Sequence, residues 1–496
     1  MSPAHRCPRC GRVSPSTRCP RCGRQLSTGD RIAIWHPSVL GDLARDLVRF
    51  EWREHARLLR FLLKWLLHGS VIGVLAGVSS AVFLFGLAVV TDVREVTPAL
   101  LFALPLGGLA VGLAYHYLGG RSAAGNNLIL DEIHGLAADG ARGDARGRWV
   151  PRRLAPLVLV GTWVTHLFGG SAGREGTAIQ MSGSLSDWFA RVARLSADER
   201  RLVLIAAVSG GFASVFSVPL AGAVFGLEVQ SVGRIRYDAI VPASTAALVG
   251  YVTFHALDLP HDVTPHYEVA ALGVSLALLG KVALAALVFG LVAVLFAELT
   301  DGIKRAFAVL VAWPPLRPFI GGLLVVALTL LVGSRDYLGL SLPLIDDSLT
   351  GAEVVWYAFA LKLLFTAITL GAGFQGGEVT PLFVIGATLG AVLAGPLDVP
   401  VELLAAVGFV AVFAAATNTP LACTIMGLEL FGSGALPYFA VGCVVAYVFS
   451  SHRGIYGSQR IDTPKGADAP GGPVLRDLSE TRTGWPSRRR RPEDRH

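Results

Sequence analysis

Charge is scarce in this chain: 16% of its 496 residues are Asp, Glu, Lys or Arg, where an ordinary soluble domain carries about a quarter. Hydrophobic residues supply 53% and the mean hydropathy is +0.56, which excludes a soluble globular chain of the usual kind. A secretory leader is missing too, because a polar head rich in Cys and Arg stands before the first apolar run. No HExxH occurs on any helical stretch, so the usual signature of a zinc-dependent hydrolase is absent. No long polar domain follows the last apolar run.

Apolar runs long enough to cross about 30 Å of hydrocarbon recur between residues 71 and 450, with clear ones starting at Val71, Ala270, Gly321 and Ala435. The 57 glycines matter as much, since glycine lets helices approach closely, break and expose backbone N–H groups. The pattern predicts an all-α polytopic membrane protein.

The net charge of +7 is unevenly placed. Arg45, Arg49, Arg53, Arg57, Arg60 and Lys64 approach the first span at spacings of three and four, along one face of an interfacial helix. Arginines also fill positions 488–491. Positive flanks stay cytoplasmic, so both termini are expected inside and the number of crossings even. The tail after Ser458, rich in Gly, Pro, Asp and Arg, reads as disordered. Its arginine run suits anionic lipid or nucleic acid but, as such runs more often do, reads as a solvated end, so no nucleic-acid partner is expected.

Cys7-Pro-Arg-Cys10 and Cys19-Pro-Arg-Cys22 are two copies of one knuckle, each followed by glycine. Four thiolates at this spacing suit a tetrahedral, structural Zn²⁺, and so short a segment needs metal to fold. Two disulfides or a redox CxxC are the alternative, disfavoured by a cytoplasmic location. Four Cys ligands leave no position open for catalysis. Cys423 and Cys443 lie in apolar runs and read as core.

The membrane body repeats itself. Residues 206–229 (AAVSGGFASVFSVPLAGAVFGLEV) match 407–430 (VGFVAVFAAATNTPLACTIMGLEL), and upstream of each lies a glycine-rich loop with a glutamate: GGSAGREGT at 169–177 and GAGFQGGEVTP at 371–381. Such repeats meet near the bilayer midplane and point broken-helix N-termini, which attract anions, at a substrate. Tight helix packing is the alternative use of the glycines. Glu175 and Glu378 stand in apolar surroundings, where a carboxylate is a functional candidate by default. Ionised, a carboxylate occupies an anion site; protonated, it vacates the site or stays as a neutral donor, and either links H⁺ to anion occupancy. Glu228 and Glu429 read as helix-end or interfacial charges, and Lys281 and Lys362 as snorkelling or paired within the bundle.

These residues resemble the CLC family of chloride channels and anion/proton antiporters over residues 62–459. GREGT (173–177) is similar to the family's GREGP loop, which makes Glu175 the gating glutamate by position. SVFSVPLAGAVFGLE (214–228) resembles the segment closing the first repeat. GGEVTP (376–381) stands where the family has GxFxP, GNNLI (125–129) where it has the GSGIP selectivity loop, and Tyr456 in HRGIY matches the tyrosine lining the central anion site. The departures are informative. Asn126 replaces the serine that binds chloride, Thr177 replaces the proline of GREGP, and Val379-Thr380 follows Glu378. Val229 falls where chloride/proton antiporters carry a second, inner glutamate. GREGT, Asn or Met in the selectivity loop and GGEVTP together resemble the fluoride-exporting branch.

The resemblance implies a CLC-type inverted-repeat fold, a homodimer with one pathway per subunit, and halide transport in a plasma membrane, bacterial by the compactness of the chain. Fluoride/proton antiport is expected, with Glu175 as gate and proton carrier and Glu378 assisting or only bonding a neighbouring helix end. Asn126, Asn127, Gly173, Arg174, Gly376, Gly377, Thr380 and Tyr456 are the expected anion path. Fluoride holds its water tightly and needs compact donors, which an Asn amide, a Thr hydroxyl and backbone N–H groups supply. A chloride channel or Cl⁻/H⁺ antiporter is the rival on the same scaffold; a zinc-binding membrane adaptor is the rival of another class. The expected domains are a zinc ribbon at 1–30, a basic linker or helix at 31–61, a membrane domain at 62–459 with halves at about 62–256 and 269–459, and a basic tail at 460–496.

Overall fold

The computed structural model describes residues 5–10, 13–14, 18–26, 52–139, 149–259, 267–270, 273–466 and 474–478. Arg45, Arg49 and the terminal arginines 488–491 lie outside the described residues, as does the side chain of Arg53. The chain divides into two compact units, Met1–Leu63 and Lys64–His496.

In the first unit, β1 (His5–Arg6) pairs antiparallel with β2 (Val13–Ser14), His5 opposite Ser14. Cys7–Cys10 follows β1 directly, and the second knuckle is closed by Cys19 N–H to Arg24 O at 2.9 Å and Gly23 N–H to Cys19 O at 2.9 Å. Gly23 sits at φ +70, a turn that a side chain rarely tolerates. Leu26 packs against the four sulfurs.

The second unit is helical. Its helices are α1 (Trp52–Val96, which begins in the first unit), α2 (Leu104–Ala114), α3 (Asn126–Asp139), α4 (Leu154–Leu167), α5 (Glu175–Val192), α6 (Ala197–Phe216), α7 (Pro219–Glu228) and α8 (Ile240–Ala256). The second half holds α9 (Leu276–Leu310), α10 (Leu316–Val332), α11 (Leu342–Thr350), α12 (Ala358–Ala372), α13 (Val379–Leu397), α14 (Val401–Thr417), α15 (Pro420–Phe431) and α16 (Leu436–Phe449). A two-residue parallel pair, β3 (Ser231–Val232) with β4 (Arg460–Ile461), ties the post-α16 segment to the first half.

Five described helices are long and apolar enough to cross a membrane: 54–96, 98–124, 237–256, 276–310 and 379–397. The runs at Gly321 and Ala435 fold differently, into α10 of 17 residues and α16 of 14, at or below the length of one crossing. Short helices with glycine or proline at their ends leave helix termini inside the protein, where their N–H groups face partners other than lipid.

The repeat is visible in backbone detail. Helices α4 to α7 have counterparts in α12 to α15. α6 ends at Ser217 (φ 59, ψ 35) and α14 at Asn418 (φ 59, ψ 39). The next residues, Val218 (φ −124) and Thr419 (φ −126), open α7 and α15, each with proline as its first residue. The halves then cap each other. The Glu228 carboxylate accepts from Leu421 N–H at 3.1 Å and Ala422 N–H at 2.8 Å; Glu429 accepts from Leu220 N–H at 2.9 Å and Ala221 N–H at 2.7 Å. Between the halves, Phe212, Phe225, Phe383, Phe409 and Phe413 stack in one aromatic core.

Lys281 bonds the backbone and carboxylate of Asp398. Lys362, fully buried, donates to Gly339 O and Ser341 Oγ at 2.8 Å each.

Candidate functional site

The two glycine-rich loops meet. Gly173 N–H donates to Gly377 O at 2.6 Å and Gly377 N–H to Gly173 O at 2.7 Å, so the N-termini of α5 and α13 converge. Glu175, the first residue of α5, is fully buried. Its carboxylate lies at that convergence, accepting from Thr380 N–H at 3.2 Å and from the Thr380 hydroxyl. Helix N-termini carry partial positive charge and unpaired N–H groups, so an anionic group belongs there.

Glycine is required at both loop positions because the facing loop is so close: a Cβ on Gly173 would stand 2.8 Å from Pro381 Cδ and 3.0 Å from Gly377 O, and one on Gly377 2.9 Å from Gly176 N. Glu175 Oε2 would lie 2.8 Å from the first Cβ and 2.7 Å from the second. Gly376 is closed against Ala172 in the same way, at 2.5 Å. Arg174, the N-cap of α5, is buried next to Glu175 in the chain. Thr177 bonds Thr162 of α4 through hydroxyls 2.7 Å apart, a contact that the proline of a GREGP loop cannot make.

Asn126 opens α3. Its Nδ2 lies 2.8 Å from where a Gly176 Cβ would be, and its Oδ1 is buried without a hydrogen-bond partner among the described residues. Asn126, Ile129, Ile179, Val208, Val229 and Tyr456 share one narrow cavity with Leu130 and Phe225. Asn126 and Tyr456, 330 residues apart in sequence, therefore flank one space, and Val229 contributes an apolar wall to it. Asn127 faces elsewhere: its Oδ1 accepts Ser458 N–H at 3.0 Å and fastens the segment that carries Tyr456.

That segment is further held by Gln459, which donates to Val229 O and Thr417 O at 2.7 Å each, and by Lys465, whose Nζ reaches Tyr447 O at 2.7 Å and Ser450 Oγ at 2.9 Å. Glu378 is the N-cap of α13 and half-buried. The charges acting on it are Asp301 and Lys304 of α9, while Tyr456 feels both Glu175 and Glu378.

Residue types alone did not single out Thr162, Gln459 or Lys465. Hydroxyls and amides are unremarkable until a fold brings them to a helix end. The caps at Glu228 and Glu429 had a signal, since two glutamates at matching repeat positions are expected to do matching work.

In the first unit, Sγ atoms of Cys7, Cys10, Cys19 and Cys22 lie within 4.8 Å of one another. All four thiols are free of disulfides, and Cys7 and Cys19 are buried. An all-thiolate set in this space fits a tetrahedral soft-ligand metal. Backbone N–H groups of Arg21 and Cys22 pull the Cys19 thiol down to about 6, and that of Arg9 lowers Cys7, whereas Cys22 is pushed above its ordinary value by the neighbouring thiols and burial, against the lowering pull of the Arg24 backbone.

Buried helix N-termini from two repeats, closed by a carboxylate, define a polytopic membrane protein with an internal anion pathway. The chain belongs to the voltage gated chloride channel family, whose model matches residues 107–451, as the order of its motifs implied. It is 45% identical over 430 residues to the chloride/fluoride channel protein of Pseudomonas syringae pv. tomato, covering 85% of this chain and 92% of that one. It is 28% identical to the voltage-gated ClC-type chloride channel ClcB of Salmonella typhi, over 73% and 86% of the two chains. Among solved structures, it matches a CLC-type fluoride/proton antiporter with a TM-score of 0.75 at 36% identity, covering 80% of this chain and 98% of that one. A slow cyanobacterial Cl⁻/H⁺ antiporter matches at 0.64 and 20% identity, over 86% and 98%, and shares the fold.

Proposed function

We propose that this protein exports fluoride from a bacterial cytoplasm in exchange for protons, with Glu175 as gate and proton carrier. The observation that carries this reading is the Glu175 carboxylate held between two helix N-termini by Thr380. Ionised, it fills the anion site. Protonation removes the charge that the helix ends hold, and a fluoride ion takes its place.

Asn126, Tyr456, Thr380, Arg174 and the backbone at Gly173, Gly376 and Gly377 form the anion path; Asn127 supports it by anchoring the Tyr456 segment. Small, strong donors favour fluoride because they replace a tightly held hydration shell. The likeness to a chloride/fluoride channel protein and to a fluoride/proton antiporter supports the same substrate. Val229 gives the inner path no carboxylate, so Glu175 itself swings toward the cytoplasm, and Glu378 steadies the moving gate.

The same reading makes the protein a homodimer in the plasma membrane, with both termini cytoplasmic and an N-terminal Zn²⁺ ribbon of structural role at 1–30. Exposed Leu220 and Leu421 at the starts of α7 and α15 suit burial against a second copy. The membrane domain spans 62–459.

The test is purified protein in liposomes loaded with KF or KCl, an electrode recording halide release after valinomycin, and a pH probe. Fast fluoride efflux, slow chloride efflux and proton uptake lost in Glu175→Gln support the antiporter. Chloride flux equal to or above fluoride overturns the fluoride assignment; passive chloride flux without proton movement makes the protein a channel. Deleting residues 1–31 in the same assay reads the ribbon's part in transport.

A further inference from the structure

Two cavities meet at one carboxylate. The larger, about 810 Å³, is lined by Asp92, Glu95, Asp336, Asp346 and Asp347, with Arg94 and Arg335. Asp92 to Glu95 stand at the C-terminal end of α1, opposite its basic N-terminal flank, so the proposed orientation opens this vestibule to the outside. The smaller cavity, about 20 Å³ and so room for about one water, has walls of Phe216, Leu342, Ile345, Phe383, Phe409 and Phe431. Its polar side chains are Arg174, Tyr267, Asp346 and Thr380, and Thr380 is the residue that bonds Glu175. Asp346 lines both spaces.

Asp346 is also positioned. The Tyr267 hydroxyl donates to its Oδ1, and Tyr267 is itself fastened to the end of α15 by its N–H to Leu430 O at 3.2 Å. A lone structural aspartate at a helix surface needs neither a second cavity nor a dedicated phenol.

We infer that Asp346 is the external proton-loading residue of the exchanger, taking protons from the vestibule and passing them across the aromatic-walled cavity to Glu175. The inference rests on the exchange reading above. In the step, hydronium in the vestibule gives its proton to an Asp346 oxygen and leaves as water. That O–H bond then breaks as a new one forms at a Glu175 carboxylate oxygen, relayed by the one water that the small cavity has room for. No electrons change hands.

The charges suit the task. Five carboxylates against two guanidiniums give the vestibule a negative potential, which concentrates protons and discourages expelled anions from returning. Asp346 lies on α11, nine residues long and outside the spanning set. Burial, with the Asp347 carboxylate beside it, pushes Asp346 above the ordinary carboxylate value, so it loads at milder acidity than an exposed aspartate. The groups facing it are Tyr267 and Arg174 from the small cavity, Asp347 on its own helix, and Asp92, Arg94, Glu95, Arg335 and Asp336 from the vestibule.

The experiment is fluoride efflux with simultaneous proton uptake, in liposomes holding the full chain, from pH 5.5 to pH 8. Asp346→Asn is expected to slow both fluxes about tenfold at the alkaline end, with the loss shrinking toward the acid end as protons reach Glu175 unaided. Asp346→Glu restores the rate, and Tyr267→Phe shifts the pH profile. An Asp346→Asn loss equal at every pH, or no loss, overturns the inference. Where that variant does not fold, an unshifted Tyr267→Phe profile overturns it instead. Wild-type fluoride flux without proton uptake overturns the exchange reading itself, and Asp346 with it; proton uptake in wild type that Asp346→Asn leaves intact overturns Asp346 alone.

Discussion

Thr380 holds the Glu175 carboxylate with two donors at once, its backbone N–H and its hydroxyl. The first belongs to the N-terminal turn of α13 and is available whatever side chain stands there. The second is the choice of residue. Thr380→Val keeps the shape and the N–H and removes one charge-assisted hydrogen bond, a loss of about 1.5–3 kcal/mol. In the proposed cycle that hydroxyl serves the carboxylate and then the anion, so fluoride efflux is expected to fall about tenfold or more. Thr380→Ser, which keeps the hydroxyl, restores most of it in the same liposome assay.

Asn126 separates the two halide readings. Its amide brings N–H donors to the cavity shared with Tyr456, where the chloride members are expected to offer one hydroxyl. Asn126→Ser is predicted to lower the ratio of fluoride to chloride flux by about tenfold, one good hydrogen bond's worth of discrimination. An unchanged ratio, measured with each halide in turn, assigns selectivity to the backbone N–H groups instead. Gly176→Ala is a harsher probe, since its methyl would meet Asn126 Nδ2 at 2.8 Å.

Much of this was legible in the sequence because the repeat is legible. Pro219-Leu-Ala and Pro420-Leu-Ala, each with a glutamate nine residues beyond its proline, announce two copies of one unit, and the copies place the glycine loops opposite each other. Which partners those loops choose was not readable. That Gly173 bonds Gly377, that Asn127 turns to Ser458 while Asn126 faces the cavity, and that Asp346 borders two spaces all depend on contacts between residues hundreds of positions apart. Hydropathy also misjudged the spans. Gly321 and Ala435 begin apolar runs, yet their helices are 17 and 14 residues long: α10 is stopped by Gly333 in the left-handed region, and α16 starts with proline in its first turn and ends at Ser450.

The reciprocal caps predict a stability effect independent of transport. Neither Val218 nor Thr419 caps its helix with a side chain, so Glu228 and Glu429 are what satisfies the first N–H groups of α15 and α7. Glu228→Ala leaves two such donors open at a largely buried site, at a cost of about 2–3 kcal/mol. Glu429→Ala, at a wetter site, is expected to cost less. Thermal unfolding in detergent checks the order. Equal, negligible losses in both would mean that water replaces the carboxylates.

The ribbon predicts metal content and its pH dependence. Four thiol sulfurs within 4.8 Å of one another are expected to hold about one zinc per chain by elemental analysis, and Cys19→Ser to remove it. Zinc requires thiolates, so protons compete with it. Cys22, held above its ordinary value, takes a proton first as pH falls, and affinity declines through the neutral range. Cys19 stays ionised until about 6; below that pH a further proton competes and affinity drops about tenfold more per unit, since each pKa unit is 1.36 kcal/mol. Zinc release to a chromophoric chelator, followed from pH 8 to pH 5, should therefore steepen near 6. A release curve of constant slope would mean that Cys19 takes its proton elsewhere in the range, and that its backbone donors do not hold the thiolate when the metal leaves.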